Sequence, residues 1–413
     1  MIYPFLLMVD NYFLVVYAID KKMYVEETYM VVRKLTSADR VSLEKLWSIC
    51  FMYSINVEEA EKKASENPTA PTGYGAFNED GEMIAGVIGN ELTMNFDGSK
   101  VPLTGIGGVV THPSYRKSGA IKSIMKSLLS EARKNGFVFS GLYPFNHGFY
   151  RKFGYELSRD LETYTFAFTL IMKYAGDVKT KLLTDKDDRS FLHPVYEAFT
   201  KRYNLAIDRD KDAFNRATAS NPYAANDYTY AIYDGNEPCA YIAFHKVNSV
   251  LNVKDYAFKT EKDFIKILSF LSRFSPEFEK IEIALPSDIP IALLSSNPYD
   301  VQKSVNSRYM TRVVNCEKAL SMMNRYIPSP FVIEIDDPFL PENSGTFKVW
   351  AGGCEKTEDK ADVRMSIQAF SQMIAGYAGF EGTLFREDVE LFGNLETLKA
   401  VFPKMATYLG VYY

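Results

Sequence analysis

Histidine, cysteine and tryptophan are scarce in this chain: four, four and two among 413 residues. No two histidines fall in H-x-x-x-H spacing, and Cys50, Cys239, Cys316 and Cys354 form no C-x-x-C pair. Such a set fits neither a zinc site nor a disulfide framework, so no metal and a reduced, cytoplasmic setting are expected. A surplus of positive charge is also missing. With 47 Lys and Arg against 52 Asp and Glu the net charge is −5, which argues against nucleic acid as a partner. Neither G-x-x-x-x-G-K-[ST] nor G-x-G-x-x-G occurs, which excludes two familiar phosphate-binding turns. Nor is there an uninterrupted apolar run of the roughly 20 residues a spanning helix needs. Residues 1–19 are apolar and aromatic, but Asp10 breaks them, no basic residue precedes them and no small-residue cleavage site follows. Residues 1–27 read as a strand-like extension, or as translated sequence upstream of a start at Met23 or Met30. No membrane partner is expected.

What is present has the balance of a globular protein: 47% hydrophobic and 24% charged residues, in a length that suggests two or three domains. Its most informative stretch is V-P-L-T-G-I-G-G-V-V-T-H-P-S-Y-R-K-S-G-A-I-K at 101–122. Val109, Val110 and Thr111 suit a strand, which Pro113 stops. From Lys117 to Gly136, apolar residues at 121, 124, 125, 128, 129 and 132 keep helical spacing and predict an amphipathic helix on a sheet. Arg116, Lys117 and Lys122 crowd the start of that helix, where the macrodipole is already positive. Each exposed cation there costs about 0.3–1 kcal/mol. The placement makes sense when an anion docks on the free backbone N–H groups, with Gly119 allowing close approach. A solvated basic helix end is the bland alternative.

Around this junction the pattern predicts a strand at 28–34, a helix at 38–51, strands at 73–77 and 83–92, the strand 101–111, the helix 117–135, a strand at 137–142, a short helix near 147–152 and a strand over 155–168. A second unit repeats the order. It has a helix over Leu182–Arg202, strands at 228–233, 240–247 and 251–258, a helix at 261–274 and a strand at 280–285. Its junction reads Y-A-F-K-T-E-K-D-F, lacking glycine and opening with Glu261 and Asp263. No anion is expected there, and this second unit reads as structural. A third segment from 306 holds strands at 308–316, 331–335, 345–350 and 364–367 and helices at 317–325, 368–376 and 395–402. It ends on the aromatic run A-T-Y-L-G-V-Y-Y.

The strand, turn and R-K-S-G-A-I loop resemble the acetyl-CoA loop of GNAT N-acetyltransferases, [RQ]-x-x-G-x-[GA], with Ile121 in place of the final small residue. That departure, and the segment Gly148-Phe149-Tyr150-Arg151-Lys152-Phe153-Gly154-Tyr155, resemble the enhanced intracellular survival (Eis) branch. The resemblance implies tandem GNAT folds, a mixed and mostly antiparallel sheet with flanking helices, followed by an α+β domain like a sterol carrier protein. It divides the chain into residues 1–27, a catalytic unit at 28–160, a degenerate second GNAT unit at 161–305 and a carrier-like domain at 306–413. It further implies that Val109, Val110 and Thr111 pair with the pantetheine arm of acetyl-CoA as another strand would. Lys117, Ser118, Gly119, Ala120, Ile121 and Lys122 would hold the pyrophosphate, and Phe145 and Asn146 would line the acetyl end. Tyr150 would be the general acid and the terminal carboxylate of Tyr413 the general base. A homo-oligomer, hexameric by the same resemblance, is expected.

Acetyl transfer to an amine needs a neutral nitrogen, yet an alkyl ammonium has a pKa of about 10.4. The Tyr413 carboxylate attracts the ammonium but is a weak base, with a reference pKa of about 3.3–3.7, and needs desolvation or a bridging water. A phenol at about 10 is a plausible donor to a departing thiolate whose thiol sits near 8.5. His147, three residues before Tyr150, reads as a cap or turn histidine and His112 as structural. The acceptor is an amine: an aminoglycoside-like polyamine, a protein lysine or a small metabolite. The competing reading is a non-enzymatic CoA-sensing or lipid-binding protein that uses Phe331, Trp350, Phe370 and Phe385 of the third segment.

Overall fold

A computed structural model describes residues 30–410, together with β1 (Tyr3–Val9), β2 (Tyr12–Ile19) and β3 (Lys22–Glu26), which pair in that order as an antiparallel sheet of their own. The first unit contains β4 (Val31–Lys34), α1 (Arg40–Phe51), α2 (Val57–Glu66), β5 (Gly73–Phe77), β6 (Met83–Phe96), β7 (Ser99–Thr111), α3 (Ala120–Lys134), β8 (Phe139–Leu142), α4 (His147–Arg151) and β9 (Glu156–Ala167). The stripe expected on α3 is buried: Ile121, Ile124, Met125, Leu128, Leu129 and Ala132 share a core with Ala76, Val87 and Ile106 of the sheet. Each such Ile or Leu stabilises the fold by about 1.5–3 kcal/mol. The helix starts at Ala120 rather than Lys117, because Lys117 (φ 72°) and Gly119 (φ 86°) are left-handed and cannot continue a right-handed turn.

The second unit contains β10 (Thr180–Leu183), α5 (His193–Thr200), α6 (Lys211–Ala217), β11 (Asp227–Asp234), β12 (Glu237–Val247), β13 (Val250–Phe258), α7 (Glu261–Ser272), β14 (Lys280–Leu285) and β15 (Val301–Val313). The expected helix over 182–202 is replaced by β10, a polar turn and the shorter α5. In the turn Asp187 Oδ2 accepts from Thr184 N (2.9 Å) and Thr184 Oγ1 (2.8 Å), and Asp188 accepts from Ser190 N (3.0 Å). Such local side-chain bonds compete with helix, and Pro194 is tolerated only in the first turn of α5.

Both units share one twelve-stranded sheet of order β10-β11-β12-β13-β14-β9-β15-β8-β7-β6-β5-β4. Its pairs are antiparallel except β7/β8 and β13/β14. The boundary expected at 306 needs correction: Met310–Val313 of β15 pair with Phe139–Leu142 of β8, so residues to 313 belong to the large sheet.

A smaller α+β unit follows, with α8 (Cys316–Ser321), β16 (Phe331–Asp336), β17 (Gly345–Trp350), β18 (Gly353–Lys356), β19 (Val363–Ser366), α9 (Ile367–Ile374), α10 (Phe380–Thr383), β20 (Val389–Leu391) and α11 (Leu395–Val401). Its five strands run β18-β17-β16-β19-β20. This unit shares a core with the first: Phe96, Val138 and Phe139 cluster with Phe331, Ile333 and Phe370. A fully buried ion pair, Arg312 with Asp337, crosses the junction, and Arg312 also donates to the Phe153 carbonyl. Leaving either charge unpaired there would cost about 3–5 kcal/mol. The fold is mixed α/β: two units that share one large, mostly antiparallel sheet, and a smaller α+β unit packed on the first.

Candidate active site

Strands β7 and β8 pair in parallel only from Leu103↔Phe139 to Ile106↔Leu142, then part. The cause is a β-bulge. On β6 one residue separates the partners of Gly107 and Val110, whereas on β7 two residues, Gly108 and Val109, fill the interval. Gly108 takes φ 55°, and a Cβ there would meet Trp47 Cζ2 at 2.7 Å. The Trp47 indole closes over the bulge and donates to the Gly108 carbonyl at 3.0 Å. An extra residue bends and twists its strand, so residues 107–111 leave β8 and turn one edge of β7 into a fork wall.

The fork opens at the start of α3. Gly119 is the N-cap and offers no side chain; Ser118 Oγ reaches only the Ala120 amide, at 3.4 Å. Among the described residues the Gly119, Ile121 and Lys122 amides meet no acceptor. Arg116, Lys117 and Lys122 form no ion pair among those residues either. Lys117 holds a left-handed backbone without being glycine, a strain of about 1–3 kcal/mol of the sort that gathers at binding sites. Free amides, three cations and a helix N-terminus together make an anion cradle.

Fork and cradle enclose one cleft of about 890 Å³. Of the residues the sequence singled out for cofactor binding, Val109, Val110, Thr111, Lys117, Ser118, Gly119, Ala120, Ile121, Lys122 and Phe145 all line it. Asn146 does not. Its Oδ1 caps α4 by accepting from Phe149 N at 2.9 Å, the ordinary work of an N-cap asparagine. Sequence reasoning missed Cys50, Phe51, Tyr115, Phe149, Lys152 and Phe153 as lining residues. Lys152 and the two phenylalanines lie inside the G-F-Y-R-K-F-G-Y segment, so that motif carried the signal, whereas nothing near residue 50 pointed to the cleft.

Tyr150 sits behind this wall, 3% exposed, edge-on to Phe145 (5.3 Å) and Phe149 (5.2 Å). The segment's second tyrosine is tied down: Tyr155 and Ser140 share a hydroxyl hydrogen bond of 2.7 Å, and Ser140 Oγ donates to the Thr104 carbonyl. The Tyr150 hydroxyl has no partner among the described residues, and burial pushes its pKa well above the usual phenol value. It therefore stays protonated at neutral pH, free to donate. His147 is the first residue of α4, with Nε2 buried and unpartnered among the described residues. His112 Nδ1 accepts from Ser114 N at 3.3 Å in the turn.

Tyr413 lies outside the described residues. The chain leading to it is held: Met405 N donates to Gly376 O (2.7 Å), Tyr408 N to Asn204 O (3.2 Å) and Ile207 N to Leu409 O (3.0 Å). The four aromatics behind the lipid-carrier reading are not buried together. Phe331 and Phe370 are core residues, while Trp350 and Phe385 face solvent. One group of metal-type side chains, His193, Glu197 and Asp208, is present among the described residues. Lys100 Nζ already sits against Asp208 (2.7 Å) and Glu197 (3.4 Å). No helix among the described residues is long and apolar enough to cross a membrane.

Comparison with known proteins gives three domain matches. Residues 31–158 and 205–313 each match an acetyltransferase (GNAT) domain family, and 316–410 match a sterol carrier protein domain. No curated protein matches the sequence significantly. Among solved structures, Eis1 from Mycobacterium abscessus aligns over 93% of this chain and 100% of its own, with TM-score 0.78 and 18% identity. A GCN5-related N-acetyltransferase from Anabaena variabilis covers 92% and 100% at TM-score 0.77 and 18% identity. A conserved protein from Enterococcus faecalis, described as a probable N-acyltransferase, covers 92% and 98% at 0.77 and 20%. At such identities the likeness is one of fold.

Proposed function

The chain belongs to the GNAT acetyltransferases, with two GNAT domains ahead of a sterol carrier protein domain in the fold of Eis, and from that premise we propose that its first unit moves the acetyl group of acetyl-CoA directly onto an amine. GNAT domains imply acetyl-CoA as the donor. The observation that carries the reading is the fork between β7 and β8, walled by Val109–Thr111 and ending in the uncapped, basic start of α3. The free edge of β7 suits the amide-bearing pantetheine arm, the cradle suits a diphosphate, and Arg116 and Lys152 stand at the same mouth.

In the reaction the amine lone pair attacks the thioester carbonyl, the C–S bond breaks and the amine proton leaves. Tyr150 donates its hydroxyl hydrogen to the departing sulfur. Its raised pKa makes complete transfer uphill, so its main contribution is a hydrogen bond to negative charge developing in a dry site. The terminal carboxylate of Tyr413 attracts the cationic acceptor and, through water, takes up its proton. The acceptor is an aminoglycoside-like polyamine, a protein lysine or a small amine, and the working form is a homo-oligomer, a hexamer in this reading. Thiol release from acetyl-CoA with one amine of each class tests the proposal. Amine-dependent release from the full chain, cut about 10²–10⁴-fold by deleting Tyr413, is expected; no release with any amine contradicts it.

A further inference from the structure

No step of the proposed reaction uses the buried pair of Arg312 and Asp337, yet its guanidinium lies against the chain reversal that closes α4. Both side chains are fully buried, which is costly unless their remaining hydrogen-bonding capacity is used. Asp337 uses its own on the loop after β16: Oδ1 accepts from Leu340 N at 2.9 Å and Oδ2 from Asn343 Nδ2 at 3.0 Å. Arg312 directs Nη1 at the first unit, donating to the Phe153 carbonyl. Gly154 beside it takes φ 82°, and a Cβ there would meet Arg312 Nη1 at 2.8 Å. Only a bare backbone allows the guanidinium so close.

That reversal belongs to the active site. Phe153 lines the cleft, and Phe153 N donates to the Tyr150 carbonyl at 2.9 Å, as Tyr155 N does at 3.4 Å. The third unit grips the same turn elsewhere too. Gln368 Nε2 of α9 donates to the Arg151 carbonyl at 3.0 Å. Arg386 bonds Glu156, which is paired with Arg151 at 2.8 Å, and Phe339 packs edge-on against Phe153 at 5.2 Å. The Tyr150 hydroxyl meets no partner among the described residues, and its ring is held by Phe145 and Phe149. Where that hydroxyl points is therefore set by ring packing and by the backbone at residue 150.

We propose that Arg312, held by Asp337, is a positioning residue that fixes the turn behind Tyr150 and so aims its hydroxyl at the departing sulfur. The inference rests on Tyr150 as the acid. It also gives the sterol carrier protein domain a task in the reaction of the first unit.

The test places Arg312→Lys and Gln368→Leu in the full-length chain, and each again on Tyr150→Phe, with initial rates read beside a thermal melt. Arg312→Lys keeps a charge for Asp337 but puts one nitrogen in place of a fork. Its kcat is expected to fall about 10²-fold, the scale of a displacement of about 1 Å, with the acetyl-CoA KM little changed. Gln368→Leu is the milder variant, which decides the matter should Arg312→Lys not fold; a fall of about 2- to 10-fold is expected, the worth of one hydrogen bond. On Tyr150→Phe both losses should vanish, because residues that act as one unit are not additive. Equal losses in the two backgrounds, losses confined to KM, or wild-type kcat in both variants overturn the inference and leave Tyr150 as the acid. Wild-type kcat in Tyr150→Phe itself removes the premise, and the inference with it.

Discussion

The two GNAT-type units arrange strand, helix and strand alike around a parallel pair that parts after a few residues, yet only one leaves the gap open. In the first, β7 leaves β8 after Ile106 and the space becomes a cleft. In the second, β13 pairs with β14 only over Val250–Asn252, and side chains fill the gap beyond. Tyr256 Oη donates across it to Ala284 O at 3.0 Å, and Phe199 packs on both Tyr256 (5.5 Å) and Tyr408 of the tail (5.2 Å). The helix starts differ in the same sense. Thr260 and Asp263 form a capping box on α7, Thr260 N donating to Asp263 Oδ2 at 3.1 Å and Asp263 N to Thr260 Oγ1 at 3.4 Å. A helix end that satisfies itself and opens with Glu261 has nothing to offer a phosphate. One fold thus yields a ligand site or a plug, depending on a few residues at one junction.

The comparison breaks most readily at the chemistry of the open fork. Tyr150→Phe keeps the aromatic packing with Phe145 and Phe149 but removes the unpartnered hydroxyl. Its kcat is expected to fall about 10²–10⁴-fold with the acetyl-CoA KM unchanged, as initial rates would show. Closing the fork comes next. Gly108→Val places a branched side chain at φ 55° against Trp47 and should flatten the bulge. Loss of kcat/KM for acetyl-CoA of about 5- to 150-fold is expected from the 1–3 kcal/mol of such strain, read from steady-state kinetics beside a thermal melt.

A pH profile separates the two groups proposed for proton transfer. Burial raises the Tyr150 pKa, so its acid form persists through the alkaline range. Turnover should therefore climb from pH 6 to 9 as the acceptor amine loses its proton, with no decline from Tyr150 before about pH 10, its unperturbed value. A falling limb near pH 8 in kcat would contradict the role. The smallest effect belongs to the plugged unit. Thr260→Ala removes the capping box, should destabilise the protein by about 1 kcal/mol, and should leave acetyl-CoA binding as it was, which a melt and a titration together would show.

How much of this was legible in the sequence follows from how local each signal is. The R-K-S-G-A-I loop, the α3 stripe and the two-tyrosine segment are each contiguous in sequence: the loop lines the cleft with Phe149, Lys152 and Phe153, while the stripe from Ile124 to Leu129 and both tyrosines lie in the core beneath it. The left-handed turn at Lys117 that delays α3 to Ala120 has no local mark, since lysine rarely adopts it. Strand β15 misled because its sequence says nothing of its partners. Its first half is exposed and polar, its second half is buried between β8 and β9, and only the long-range pairing assigns it to the large sheet. The turn at 184–190 was hidden by flanking residues of helical pattern, although its Thr-Asp and Asp-Ser bonds are local. Cys50 and Phe51, on α1, reach the cleft only through tertiary packing.

Calorimetric titration of CoA into three forms of the full-length chain tests the central claim most directly: the wild type, Arg116→Glu/Lys117→Glu at the open junction, and Glu261→Lys at the plugged one. Binding weakened about 10²-fold or more by the first pair, from the loss of charge-assisted contacts, and untouched by Glu261→Lys is the predicted result. CoA binding that ignores the charge reversal at 116 and 117, or that responds to residue 261, would contradict it.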